Sequence, residues 1–290
     1  MNNEKTTNVL EVCDLHKKYE TFTLNNITFN LPSGYIMGLI GPNGAGKTTL
    51  IKLILNINKS HSGNIKLFGQ QSNVTQNQQI GVVMDTPMYV EDWTLQDVEK
   101  TLAPFYSNWN KTKYAKYLNQ FGLEAKKKVK ELSRGMKVKL QIAVALSHEA
   151  KFLLLDEPTS GLDPVARDEI CDLLHEFVTN EDHSVLFSTH ITTDLDKTAD
   201  YITCIINGNI VFTGTKDELL EKYVHIAGGL DDLSPEQKKR VIGYRKHNTG
   251  FEGMIETTNI HTLPKTILTE KITLDEITIF LNKETKLNVN

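Results

Sequence analysis

"YIMGLIGPNGAGKTTLIKLIL", residues 35–55, decides the fold. Its first part, "YIMGLI", has the length and apolar composition of a buried strand. Its last part, "KTTLIKLIL", spaces Leu50, Leu53 and Ile54 along one face of a helix. Between them runs the pattern G-x-x-x-x-G-K-[ST], from Gly41 to Thr48. Strand, glycine-rich turn and helix form the context in which that pattern cradles phosphate. Gly41, Gly44 and Gly46 let the backbone turn sharply and aim N–H groups at an anion, with Pro42, Asn43 and Ala45 completing the loop. The helix N-terminus adds a favourable field. Lys47 is expected to reach the β- and γ-phosphates, the Thr48 hydroxyl a magnesium ion, and Thr49 the α-phosphate. The glycines lack the G-x-G-x-x-G spacing of a dinucleotide fingerprint.

At 290 residues the chain has room for one large domain and a small appendix. A net charge of −4 gives no footing for nucleic acid, so none is expected as a partner. Cys13, Cys171 and Cys204 lie far apart and form no C-x-x-C, which fits reduced thiols. The N-terminus "MNNEKTTN" lacks the apolar core of a signal peptide. No apolar run approaches the ~18 to 20 residues of a membrane span. A soluble intracellular protein is the expectation.

Residues 9–83 are rich in strand signals, and residues 86 to about 132 turn aromatic and helical, ending in the basic run "KKKVK". Residues 133–223 return to alternating helices and apolar strands, which implies an α/β sheet with a helical insertion. "YITCIINGNIVFTG" predicts a hairpin turning at Asn207-Gly208. Beyond residue 224 the pattern weakens: Ser234-Pro235 opens a helix, "YRKHNTGFEG" suggests a hairpin, and "TLDEITIFLNK" carries a capping box from Thr273 to Glu276.

"KFLLLDEP" reads as a buried strand ending in Asp156 and Glu157. Alone it could be an acidic turn. Beside a phosphate loop, such carboxylates suit magnesium and water. "TSGLDP" follows at once, and "STH" after one more helix and strand.

In this order and spacing, residues 9–223 resemble the ATP-binding subunit of ABC transporters. "GPNGAGKTT" resembles Walker A, "FLLLDE" Walker B, "SGLD" the D-loop, "STH" a switch histidine at His190, and "ELSRGMKVKLQIAVAL" the family signature and its helix. The resemblance implies a P-loop NTPase cassette over residues 1–223, with an N-terminal antiparallel β-subdomain and a helical subdomain at about 86–145. Residues 224–290 are expected to form a small α+β appendix. ATP and Mg2+ are the implied cofactors. Asp156 and Thr48 would hold the metal, Glu157 would polarise the attacking water, and His190 would sense the γ-phosphate. Tyr19 either stacks on adenine or sits at a sheet edge. In the family the signature completes a second subunit's site, so Ser133, Arg134, Gly135 and Met136 would act in trans. The D-loop residues Gly161, Leu162 and Asp163 would lie between the two sites, with Asp163 also placed to cap the next helix ahead of Pro164.

Two positions depart from the family pattern. The signature is usually LSGGQ, and here Arg134 replaces a glycine and Met136 a glutamine. That is either a tolerated variant or an added charge for the phosphate or the dimer. Asp85 stands where the family carries a glutamine beside the metal. It either keeps an oxygen ligand there or caps the turn before Pro87.

The implied partners are a second copy of the chain and a separate permease, which would hold the protein at the cytoplasmic face of the membrane. The region from Met88 to Phe121 is where the family docks a permease; Tyr89, Trp93, Phe105, Tyr106 and Trp109 are divided between that groove and the local core. Nucleic-acid or ribosome-acting members of the class usually carry tandem cassettes or long coiled coils, and this chain shows neither. A sensing subunit without turnover fits poorly with intact Lys47, Glu157 and His190. Across the whole sequence the resemblance runs to ATPases of Gram-positive peptide and antibiotic exporters, among them the exporter of the amphipathic phenol-soluble modulins. Peptide export is the expected activity, with antibiotic or lipid export as the alternative.

Overall fold

The computed structural model describes residues 7–86 and 89–287. The N-terminal stretch read for a signal peptide therefore lies largely outside the described residues, as do Pro87 and Met88.

Strands β1 (Asn8–Lys18) and β2 (Thr23–Pro32) pair antiparallel. In β2 Leu24, Ile27, Phe29 and Leu31 point inward and their neighbours outward, the alternation of a sheet with one buried face. Strand β3 (Ile36–Ile40) is buried at every residue, as a strand covered on both faces must be. It runs into the phosphate loop and helix α1 (Lys47–Ile54). β4 (Ser62–Leu67) and β5 (Gln70–Gln71) complete a first, antiparallel sheet in the order β2-β1-β4-β5, and β6 (Ile80–Val83) enters a second, largely parallel sheet.

Helices α2 (Leu95–Leu102), α3 (Lys111–Gln120) and α4 (Arg134–Ser147) follow. Each starts at a polar cap: Thr94 for α2, Asn110 for α3 and Ser133 for α4. Leu95, Val98, Tyr114 and Leu118 form a local core, and the Tyr114 hydroxyl donates to the Leu95 carbonyl at 2.9 Å. Helix α4 has two apolar faces. Leu140, Ala143 and Val144 join the helical core, while Val138, Ile142 and Ala145 join the core of the central sheet.

That sheet is completed by β7 (Phe152–Asp156), helix α5 (Pro164–Val178), β8 (Ser184–Thr189), helix α6 (Thr192–Thr198), β9 (Tyr201–Ile206) and β10 (Asn209–Thr215). The strand order is β10-β9-β3-β8-β7-β6, parallel throughout except for the β9–β10 hairpin. The hairpin turns at Asn207 (φ 47°) and Gly208 (φ 76°), as the Asn-Gly pair predicts. A Cβ on Gly208 would stand 1.8 Å from the Thr23 carbonyl oxygen, so glycine is required there by contact as well as by backbone.

Helix α7 (Lys216–Lys222) leads to β11 (Tyr223–Gly228), helix α8 (Pro235–Lys238), β12 (Ile242–Lys246), β13 (Phe251–Glu256), β14 (Leu268–Glu270) and helix α9 (Leu274–Leu287). The expected hairpin is β12–β13, part of a third antiparallel sheet in the order β12-β13-β11-β14. Thr273 and Glu276 form the expected reciprocal bonds at the start of α9. The appendix packs on its own chain. Met254, Leu274, Ile277 and Phe280 share one core with Val185, Ile202 and Cys204 of the central sheet. The Thr192 hydroxyl donates to Asp275 at 3.2 Å. No helix among the described residues is long and apolar enough to cross a membrane.

Candidate functional site

The parallel register of the central sheet brings four strand ends together. Val83 pairs with Leu155, Asp156 with Ser188, and Thr189 with Ile40. Asp85, Asp156–Glu157, His190 and the phosphate loop therefore leave the C-terminal edges of adjacent strands, where open α/β sheets place ligands.

Within the loop, Gly44 has φ 81° and Gly46 φ 112°. Gly41 is a different case, because a Cβ there would stand 2.1 Å from the Ile205 carbonyl oxygen. The loop is braced from the side by the hairpin: the Gly208 N–H donates to the Ala45 carbonyl at 3.1 Å, and the Gly208 carbonyl accepts from Asn25 N–H at 2.8 Å. The cleft above the loop measures about 1180 Å³. Asn43, Gly44, Gly46, Lys47, Thr48 and Thr49 line it, with Tyr19, Asp85, Asp156 and Glu157.

Two sets of polar contacts meet at the loop. In the first, Asp156 accepts from the Thr48 hydroxyl at 2.8 Å and from the Ser188 hydroxyl at 2.6 Å. Asp156 is buried, so both oxygens need such partners. In the second, Lys47 Nζ donates to the Gly41 carbonyl at 2.7 Å and the Pro42 carbonyl at 3.3 Å, and lies 3.2 Å from Glu157 Oε1. The other Glu157 oxygen is 2.7 Å from His190 Nδ1. Glu157 has φ 52°, a left-handed backbone uncommon outside glycine, which turns the chain out of β7. Its N–H donates to the Ser188 carbonyl at 3.0 Å.

Tyr19 also lines the cleft. Its hydroxyl accepts from Asn58 at 3.1 Å, and the Lys17 ammonium stands 5.3 Å from its ring centre. Tyr19 stands one residue past the end of β1, an interior strand of the first sheet, so it is not a sheet-edge strand residue.

Asp85 lines the cleft, but its carboxylate is bound by the Arg134 guanidinium. One residue earlier, Met84 is clamped by Gln141: the Met84 N–H donates to the amide oxygen at 3.0 Å, and the amide nitrogen donates to the Met84 carbonyl at 3.1 Å. Ser133, Arg134, Gly135 and Met136 do not line the cleft, nor do Gly161, Leu162 and Asp163. Ser133 accepts from Met136 N–H at 3.3 Å, and the Met136 side chain packs on the helical core. Leu162 is buried in the central core. Asp163 caps α5 through the Val165 and Ala166 N–H groups, both at 3.0 Å, and these bonds hold its carboxyl below the usual range.

Of the five aromatic residues weighed for a docking groove, Tyr89, Trp93 and Trp109 pack on the helical core, and burial pushes the Tyr89 hydroxyl pKa up. Tyr106 stacks on His148 at 3.9 Å. Phe105 stands out of the surface, 70% exposed.

Sequence reasoning passed over Ser188 and Gln141. Ser188 is the first letter of the quoted "STH", the second-last residue of β8 and directly opposite Asp156 in the register. Gln141 is a buried polar residue amid the apolar faces of α4, and such a group must find a partner.

The sequence matches the ABC transporter family model over residues 24–160. It is 34% identical over 206 residues to a lantibiotic transport ATP-binding protein, SrtF, of Streptococcus pyogenes, covering 70% of this chain and 89% of that one. It is 34% identical over 209 residues to a bacitracin transport ATP-binding protein, BcrA, of Enterococcus faecalis, covering 70% and 68%. Among solved structures, the ATP-binding subunit of an ABC transporter matches with a TM-score of 0.66 at 29% identity, over 73% of this chain and 91% of that one.

Proposed function

This chain belongs to the ABC transporter family as an ATP-binding subunit, an ATPase, and from that premise we propose that two copies of it drive a separate permease that exports amphipathic or antimicrobial peptides. The observation that carries the catalytic part is the meeting of Lys47, Glu157 and His190 beside the Thr48–Asp156–Ser188 set.

Thr48 and Asp156 offer hard oxygens 2.8 Å apart, the donor type that suits magnesium. When bound, the ion supplies positive charge across the phosphate oxygens. Lys47 shifts its ammonium from the Gly41 and Pro42 carbonyls to the β- and γ-phosphates. That move also releases Glu157 Oε1, which is then free to take a proton from the attacking water. His190 holds the other oxygen and so fixes the direction of the carboxylate. At 40% exposure its ring can also donate to the terminal phosphate. Tyr19 stacks on the adenine.

The signature and D-loop residues stand outside their own cleft, which supports their use in the site of a second copy. The permease docks on the helical region, where Phe105 and Val90 are exposed, and holds the chain at the cytoplasmic face. The lantibiotic and bacitracin names of two relatives support a peptide cargo over a lipid.

The test is reconstitution of the chain with its co-purified permease in vesicles. Amphipathic peptides are expected to stimulate ATP turnover and to be moved in an ATP-dependent way, and Glu157→Gln to abolish both. Turnover stimulated by lipids but not by any peptide would overturn the cargo. No permease recovered with the chain from solubilised membranes would overturn the transport role.

A further inference from the structure

Asp85 and Arg134, the residues that stand where the family carries glutamine and glycine, are bound to each other. Arg134 Nη2 donates to Asp85 Oδ1 across forty-nine residues of sequence. The arginine arm lies along the D-loop: a Cβ on Gly161 would stand 3.3 Å from Arg134 Cδ and Nη1. Arg134 is the first residue of α4, whose first turn holds no acidic residue. The anion that meets this cation is thus imported from the loop after β6. Asp85 lines the cleft over the phosphate loop and Arg134 does not, so the cation lies on the outer side of the pair.

The pair is built to be exchanged. Both side chains are about half exposed, 47% and 49%, and an ion pair so placed is held weakly. A terminal phosphate carries more charge than a carboxylate and matches the two-pronged guanidinium. Arginine stays charged throughout, so the exchange needs no proton.

We infer that Arg134 is a phosphate-binding residue of the composite site, held by Asp85 within its own chain and passed to the terminal phosphate on the partner copy's loop when two chains close. The inference rests on the composite dimer proposed above. One exchange then serves two sites: it completes the partner's and frees Asp85 to face the metal side of its own.

The test uses the full chain in a Glu157→Gln background at saturating magnesium, with mass followed by light scattering as ATP is added. Arg134→Ala is expected to raise the half-maximal ATP concentration for dimer formation about 10- to 100-fold, the range of a charged hydrogen bond. Asp85→Asn, which releases the cation, is expected to lower it about 2- to 5-fold. The double variant is expected to match Arg134→Ala, since nothing is gained by releasing an absent cation. Arg134→Lys keeps the charge and is expected to fall between Arg134→Ala and the parent. If Arg134→Ala and Asp85→Asn both raise the midpoint alike, the pair is a tether and the inference fails while the composite dimer stands. If the Glu157→Gln parent itself stays monomeric with ATP, the composite dimer fails and the inference with it.

Discussion

His190 Nδ1 stands 2.7 Å from Glu157 Oε2, with Lys47 Nζ 3.2 Å from the opposite oxygen. The carboxylate is thus gripped at both ends by residues from two other elements. Glu157→Gln keeps the shape and removes the carboxylate proposed as the base. Turnover is expected to drop about 10²- to 10⁴-fold with nucleotide affinity nearly unchanged. His190→Ala is expected to lose turnover as well, with affinity retained. Single-turnover hydrolysis alongside fluorescent-nucleotide binding separates the two effects. Near-normal hydrolysis by Glu157→Gln would remove Glu157 from the role of base.

Ser188 is the buried support of Asp156, the proposed metal ligand. Ser188→Ala leaves Asp156 Oδ1 without its 2.6 Å donor at a buried position. The expected cost is about 1–3 kcal/mol of stability. Urea unfolding measures it. Apparent magnesium affinity in nucleotide binding is expected to weaken in the same variant, because Asp156 then turns more freely. Unchanged values in both assays would show that Asp156 is positioned without Ser188.

The hairpin glycine carries a load on two sides. Gly208→Ala would drive a Cβ to 1.8 Å from the Thr23 carbonyl oxygen, and backbone atoms cannot step aside as side chains do. Overpacking of this kind costs about 1–3 kcal/mol, with the left-handed backbone adding to it. Because the Gly208 N–H holds Ala45 of the phosphate loop, ATP affinity is expected to fall together with the melting temperature. A variant that melts lower but binds ATP normally would separate the hairpin from the loop.

His148 sets an acid limit. It is buried, stacked on Tyr106, and its Nδ1 is 3.0 Å from the Gln78 carbonyl. Burial pulls its pKa from 6.5 down to about 4. Between those values the unfolded chain takes up a proton that the folded chain refuses. Its contribution to stability is whole above pH 6.5 and is lost as the pH falls toward 4, about 3 kcal/mol in all. His148→Gln is expected to flatten the stability profile across that window in urea titrations. An identical slope in wild type and variant would locate the acid sensitivity elsewhere.

Much of this was legible in the sequence because the phosphate loop, the Asp156–Glu157 strand end and the Asn207-Gly208 turn are local patterns. Each is fixed by a few consecutive residues whose backbone or chemistry allows little else. The contacts that were not legible are those across the sheet. Ser188 reaches Asp156 only through the parallel register of β7 and β8, and Gln141 reaches Met84 only because α4 lies against β6. Asp85 and Arg134 were each read alone, Asp85 as a metal-side oxygen or a turn cap, Arg134 as a tolerated variant or a charge for the phosphate or the dimer. Nothing in their separate neighbourhoods announces that they bind each other. The appendix was read for its capping box and hairpin, but its choice of its own chain as a packing surface depends on Met254, Ile277 and Phe280, whose destination no local pattern gives.

That choice has a consequence for how the molecule comes apart. Ile277 and Phe280 of α9 sit in the same core as Ile202 and Cys204 of β9, the strand beside the one that feeds the phosphate loop. Opening the C-terminal region would uncover the flank of the central sheet. The C-terminal appendix and the nucleotide-binding body should therefore melt in one cooperative transition, and amide exchange in β9 and α9 should be protected to the same degree.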